Sequence, residues 1–141
     1  MPGSLNRVSA GGSNVWGVNG KQDIYQYHNG GWIQIAGKLV EVSCSADGTV
    51  YGVNSADQIF QYNGQGGWSV VAGALTHIAV ANINLIWGVN RGGVIYYCDS
   101  SHQWHEVGVP IFYYPLYSVQ IIDHLFKLDV DTIISWSICL G

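Results

Sequence analysis

Three places in the chain set an aromatic ring three residues before an asparagine: Trp16 and Asn19, Tyr51 and Asn54, Trp87 and Asn90. An aromatic face stacks on the C–H surface of a sugar ring, and a carboxamide exchanges hydrogen bonds with its hydroxyls. The pairing is therefore the chemistry of a shallow carbohydrate site. Three polar aromatics that do not recur, His28, Tyr62 and His102, fall near predicted turns, where they could meet hydroxyl groups and tune sugar choice. A packing reading stands beside this one. A residue that recurs in every copy of a repeat can recur because every copy packs alike, with each ring covering the adjacent Gly17, Gly52 or Gly88. The asparagines end strands, where they tolerate left-handed turn geometry. Trp32, Trp68 and Trp104 carry the same two readings.

Other chemistries find less support. Cys98, His102 and His105 resemble metal ligands on paper, but zinc sites use four ligands at closer motif spacing, so they read as a strand-end cysteine and surface histidines. No metal and no cofactor is expected. There is no Gly-x-Ser-x-Gly nucleophile elbow. The Gly64-Gln65-Gly66 run falls in a predicted hairpin turn rather than before a helix, so a dinucleotide site is not expected. Close carboxylate neighbours are limited to Asp129 and Asp131, and the expectation is a non-catalytic protein. The formal net charge is -4, and the five basic residues are scattered. That excludes the clustered Lys and Arg of a phosphate-backbone binder, and nucleic acid is not an expected partner.

The elements that must position these residues repeat with them. Trp16-Gly17-Val18-Asn19, Tyr51-Gly52-Val53-Asn54 and Trp87-Gly88-Val89-Asn90 have glycines 35 and 36 residues apart. Trp32, Trp68 and Trp104 keep step, as do Ile24-Tyr25, Ile59-Phe60 and Ile95-Tyr96. A fixed period of this length marks an array of one supersecondary unit. In the second copy, Leu39 to Ser45 alternates as a strand and Asp47-Gly48 signals a tight turn. Thr49–Asn54, Gln58–Tyr62 and Trp68–Val71 follow as three more short strands. Four strands in about 36 residues leave no room for a helix, which is the unit of a β-propeller blade. The predicted fold is all-β, with three four-stranded antiparallel blades at about 5–38, 39–74 and 75–109.

The concerted pattern is Leu39-x-x-Val42-Ser43, Val50-Tyr51-Gly52-Val53-Asn54, Ile59-Phe60 and Trp68-x-x-Val71-x-Gly73. Counterparts run from Val15 to Gly37 and from Ile86 to Val107, and the whole resembles the tectonin repeat. The resemblance implies a six-bladed propeller of which three blades are half. It also implies glycan recognition first, of lipopolysaccharide or methylated sugars and in innate defence, and a protein-interaction scaffold second. The glycine expected at the end of the third copy is missing, with Val109 in its place. Of the 19 glycines, 18 lie at or before Gly108. Residues 110–141 are thus expected to be a divergent tail, either the start of a fourth blade at Leu116–Val119 or a replaced continuation that leaves a truncated product. Residues 121–128 carry one apolar helical face.

An open array exposes two apolar flanks, and a homodimer of two half-rings would cover them. No secretory leader is seen in residues 1–15 and no run reaches membrane-spanning length, so a cytoplasmic or non-classically secreted protein is expected, or a secreted one if the N-terminus is incomplete, with no membrane insertion. The odd cysteines Cys44, Cys98 and Cys139 imply no disulfide framework.

Overall fold

The structure, a computed structural model, describes residues 4–108. The tail and the features expected in it lie outside these residues. The described residues form twelve strands in three four-stranded antiparallel sheets, each in simple up-and-down order. The first blade comprises β1 (Arg7–Gly11), β2 (Asn14–Val18), β3 (Asp23–His28) and β4 (Gly31–Lys38). The second comprises β5 (Glu41–Cys44), β6 (Val50–Val53), β7 (Gln58–Tyr62) and β8 (Trp68–Ala74). The third comprises β9 (His77–Asn82), β10 (Leu85–Val89), β11 (Ile95–Cys98) and β12 (Trp104–Val107). Among the described residues the chain is all-β, a run of three propeller blades.

The core lies between blades rather than inside one, because a single four-stranded sheet has nothing of its own to pack against. Each blade has a front face, which meets the next blade, and a back face, which meets the preceding one. At the first junction Trp16, Val18 and Ile24 of the front of blade 1 pack on Leu39, Val42 and Val50 of the back of blade 2. At the second junction Tyr51, Val53 and Ile59 pack on Leu75, Ile78 and Ile86 in the same register.

The first strands carry a polar seam alongside. The Ser9 hydroxyl accepts the Cys44 N–H, and the Ser43 hydroxyl accepts the Val80 N–H, both at 3.0 Å. Each serine thereby satisfies a backbone donor on the free edge of the next blade, which would otherwise go unpaired. Glu41 ties all three blades together. One of its oxygens accepts the Ile78 N–H at 3.0 Å, and the other accepts from Arg7 at 2.9 Å and lies 3.0 Å from His77 Nδ1.

The recurring glycine of the Trp-Gly-Val-Asn motif has a different neighbour from the one the sequence suggested. A Cβ at Gly52 would collide with Leu39 Cδ1 and sit 2.8 Å from the Glu41 carbonyl, and Gly17 and Gly88 are crowded likewise by Leu5 and Leu75. The leucine of the same copy covers the glycine; the aromatic ring turns the other way, into the junction.

Candidate functional site

A propeller blade of four strands places its β2–β3 and β3–β4 turns at opposite ends, and this divides six of the nine candidate residues, Trp16, Tyr51 and Trp87 lying within the second strands. Asn19, Asn54 and Asn90 follow the second strand of each blade; His28, Tyr62 and His102 sit at the hairpin between third and fourth strands. With six residues in β3, the ends are separated by roughly 17–20 Å, so the two sets form no common site.

Each asparagine organises its turn. The Asn54 side-chain oxygen accepts the N–H groups of Ala56 and Gln58, both at 3.0 Å. Asn19 does the same for Lys21 and Asp23, and Asn90 for Gly92 and Val94. The left-handed residue is not the asparagine but the third residue after it: Gln22 at φ 66°, Asp57 at 64° and Gly93 at 79°. This corrects the expectation that asparagine itself adopts that geometry. Its role is to hold two backbone donors, as an Asx turn does.

The amide nitrogens then distinguish the copies. Asn19 Nδ2 donates to Asp23 at 3.0 Å, and Asn54 Nδ2 donates to Gln58 at 2.9 Å. The residue four places after Asn90 is Val94, which offers no side-chain acceptor. Among the described residues the Asn90 Nδ2 has no partner.

Asn90 borders a groove of about 310 Å³ between blades 2 and 3, walled by Ile59, Gly73, Leu75, Tyr96 and Trp104. Trp104 reaches across from blade 3 and donates its indole N–H to the Ala72 carbonyl at 2.9 Å. It can do so because Gly73, at φ 116°, forms a bulge where a side chain would press on Ile59 at 3.1 Å and on the indole at 3.4 Å. Trp68 repeats the arrangement over Gly37, donating to Ala36 at 3.0 Å. The glycine at the end of each Trp-x-x-Val-x-Gly segment is thus a seat for the tryptophan of the next blade.

The recurring rings fare otherwise. Trp16 is 0% and Tyr51 1% exposed, so neither presents a face to a ligand, and both are junction packing residues. The Trp16 indole donates to Asn14 at 2.8 Å, whereas the buried Tyr51 hydroxyl has no hydrogen-bond partner among the described residues. Burial accordingly pushes the Tyr51 phenol above its usual pKa. Trp87 is half-buried on the front of blade 3, tilted against Tyr97 at 5.6 Å. Tyr62 packs edge-on to Trp16 at 4.8 Å, and its hydroxyl accepts the Gly66 N–H at 2.9 Å, locking the hairpin. His28 and His102 are exposed at hairpin tips, His102 with φ 59°.

Cys98 and His105 do not converge with His102. The Cys98 thiol is buried at the second junction, which raises its pKa, and His105 lies 2.6 Å from Asp99 while stacking on Tyr97. Tyr96 was not singled out as a site residue by sequence, and Trp104 carried a sugar-site reading only as one of a set with Trp32 and Trp68. The signal available was the residue four places after each asparagine, which exposes the uncommitted amide of Asn90. The reach of Trp104 across blade 2 has no local signature.

A Tectonin domain model matches residues 3–115. The chain is similar to Tectonin-2 of Physarum polycephalum, 44% identical over 61 residues, and to Tectonin-1 of the same organism, 36% over 58. Those segments are 42% and 41% of this chain but only 17% and 27% of the two relatives. Among solved structures, YCF48 from Cyanidioschyzon merolae superposes with a TM-score of 0.60 at 13% identity, over 76% of this chain and 41% of that one. Human WBSCR16 does so with 0.58 at 12%, over 70% and 34%. At these identities the likeness is one of fold alone.

Proposed function

Since the chain belongs to the tectonin family, we propose that it binds carbohydrate without catalysis, through the groove between blades 2 and 3. The observation that carries this reading is the uncommitted amide donor of Asn90 beside the Tyr96 and Trp104 rings. Its counterpart at the first junction, Asn54, is closed off by Gln58. An unpartnered donor against aromatic and aliphatic walls suits a sugar that offers one hydroxyl or ether oxygen and an apolar face. The volume, at the small end of the roughly 300–1,000 Å³ of ligand pockets, suits a single residue of a glycan. Methylated sugars and the saccharide of lipopolysaccharide are the classes to try first, because a methyl group adds apolar contact with the half-buried Tyr96 and Trp104 rings.

The test is a titration of methylated and unmethylated monosaccharides and of lipopolysaccharide by calorimetry. Asn90→Asp keeps the acceptor that holds Gly92 and Val94 but removes the donor. Asp99 already holds an identical turn in this chain, accepting from Ser101 and Gln103. We expect Asn90→Asp to weaken sugar binding by about three- to tenfold, the value of one hydrogen bond, and Asn54→Asp to leave it unchanged. Absence of binding by every sugar, or binding that Asn90→Asp leaves intact, overturns the reading. Sugar-independent capture of one partner protein would favour a scaffold instead.

A further inference from the structure

We infer that the front of blade 3 docks on the back of blade 1 of a second copy of this chain, through the same packing that joins the blades within it. The two internal junctions define what each face needs. Fronts present Trp16, Val18 and Ile24, then Tyr51, Val53 and Ile59; backs present Leu39, Val42 and Trp68, then Leu75, Ile78 and Trp104. The repeat register puts Trp87, Val89 and Ile95 on the remaining front. It puts Leu5, Val8 and Trp32 on the remaining back. These are the same residue types in the same order, so the two faces, which meet no other blade among the described residues, are complementary to each other rather than each to itself.

Exposure agrees with two faces that no other blade covers among the described residues. Val8 is 59% exposed where its counterparts Val42 and Ile78 are each 4%, and Tyr27 is 42% exposed. Trp87 and Ile95 are half-buried where Trp16 and Ile24 are 0%. Tyr25 and Val89, at 7% and 8%, are already covered, so the area left open is concentrated around Val8, Tyr27, Trp87 and Ile95.

The polar seam is incomplete at this junction. Ser9 and Ser43 each accept an N–H from the following blade, and the corresponding residue of blade 3 is Ala79. The N–H of Ala10 in the second copy, which corresponds to Cys44 and Val80, would find no acceptor there. The intermolecular contact thus keeps the apolar packing and lacks one hydrogen bond, which makes it weaker than the internal junctions. Such a head-to-tail contact closes into a ring when the rotation allows and otherwise propagates.

The experiment is light scattering after size exclusion over a range of concentrations, on the full chain. We expect a reversible species at a multiple of the 15.4 kDa chain mass. Ala79→Ser supplies the missing acceptor and should tighten association by about three- to tenfold. Val8→Glu, at an exposed site, and Ile95→Lys should each give a monomer. The two variants mixed should recover a one-to-one dimer, because each retains the face the other lacks. A monomer at every concentration overturns the inference. So does an Ala79→Ser variant that associates no better, or a mixture that fails to pair.

Discussion

The two internal junctions are built to one plan and filled differently. At the first, Trp16, Tyr62 and Trp68 form a closed aromatic trio, with centroids 4.8, 5.9 and 5.3 Å apart. At the second, the same three places hold Tyr51, Cys98 and Trp104. There the Tyr51 hydroxyl has no hydrogen-bond partner among the described residues. Along the same groove Lys38 is replaced by Ala74 and Gln58 by Val94. Lys38 at the first junction is engaged by Asp23, and Gln58 by Asn54; at the second, neither cap exists. One junction is a packing seam with its polar groups committed; the other retains a groove and a spare donor. A handful of substitutions at fixed repeat positions thus converts a structural joint into a candidate binding site without changing the fold.

The heaviest loss expected from this contrast is at the filled joint. Trp16→Ala should cost about 3–5 kcal/mol, the range for deleting a buried aromatic, read as a drop in the denaturation midpoint. A cost near zero would mean that the first junction is not the closed core described here. Gly73→Ala should cost about 1–3 kcal/mol through strain at a positive φ and displacement of Trp104. It should also lower sugar affinity, whereas Gly37→Ala should affect stability alone.

Polar groups buried in the two joints respond in opposite senses. Asn14→Val strands the Trp16 indole N–H and should destabilise by about 1–3 kcal/mol. Tyr51→Phe removes a hydroxyl that has no partner among the described residues and should be neutral or stabilising by up to about 1 kcal/mol. Equal losses from both variants would show that the Tyr51 hydroxyl has a partner after all.

Val94→Gln copies the first junction into the second. The introduced glutamine would take the Asn90 amide as Gln58 takes that of Asn54, and sugar affinity should fall by about three- to tenfold with stability unchanged or slightly raised.

The mildest consequence concerns pH dependence. Hydrogen bonds from Lys38 and then Asn19 hold the Asp23 carboxyl below its usual range, and that from His105 does the same for Asp99. For depressed carboxylates the stabilisation is present above the unfolded value of about 4 and is lost as the pH falls below it. Thermal stability should therefore be level near neutrality and decline below about pH 4. Asp23→Asn should flatten that decline.

Much of the architecture was legible because it follows from local rules repeated three times: alternation for strands, Asn and Gly for turns, a 36-residue period for blades. The candidate site was legible only in part. Asn90 was named, but with Asn19 and Asn54 as equals, and the residue four places on was what separated them. Trp16 and Tyr51 looked like sugar platforms because a repeated aromatic reads the same whether it faces water or a neighbour. Only the packing of the next blade decides. His28, Tyr62 and His102 were grouped with the asparagines although the up-and-down order of the strands sends them to the other end. Trp104 read no differently from Trp32 and Trp68, because its place in the groove depends on Gly73, thirty-one residues earlier.

The sharpest check is a side-chain amide and indole NMR titration with a methylated monosaccharide. The account predicts that the Asn90 Nδ2 and Trp104 Nε1 resonances shift with ligand while those of Asn54 and Trp68 stay in place. Uniform shifts at both junctions, or none at Asn90, would contradict it.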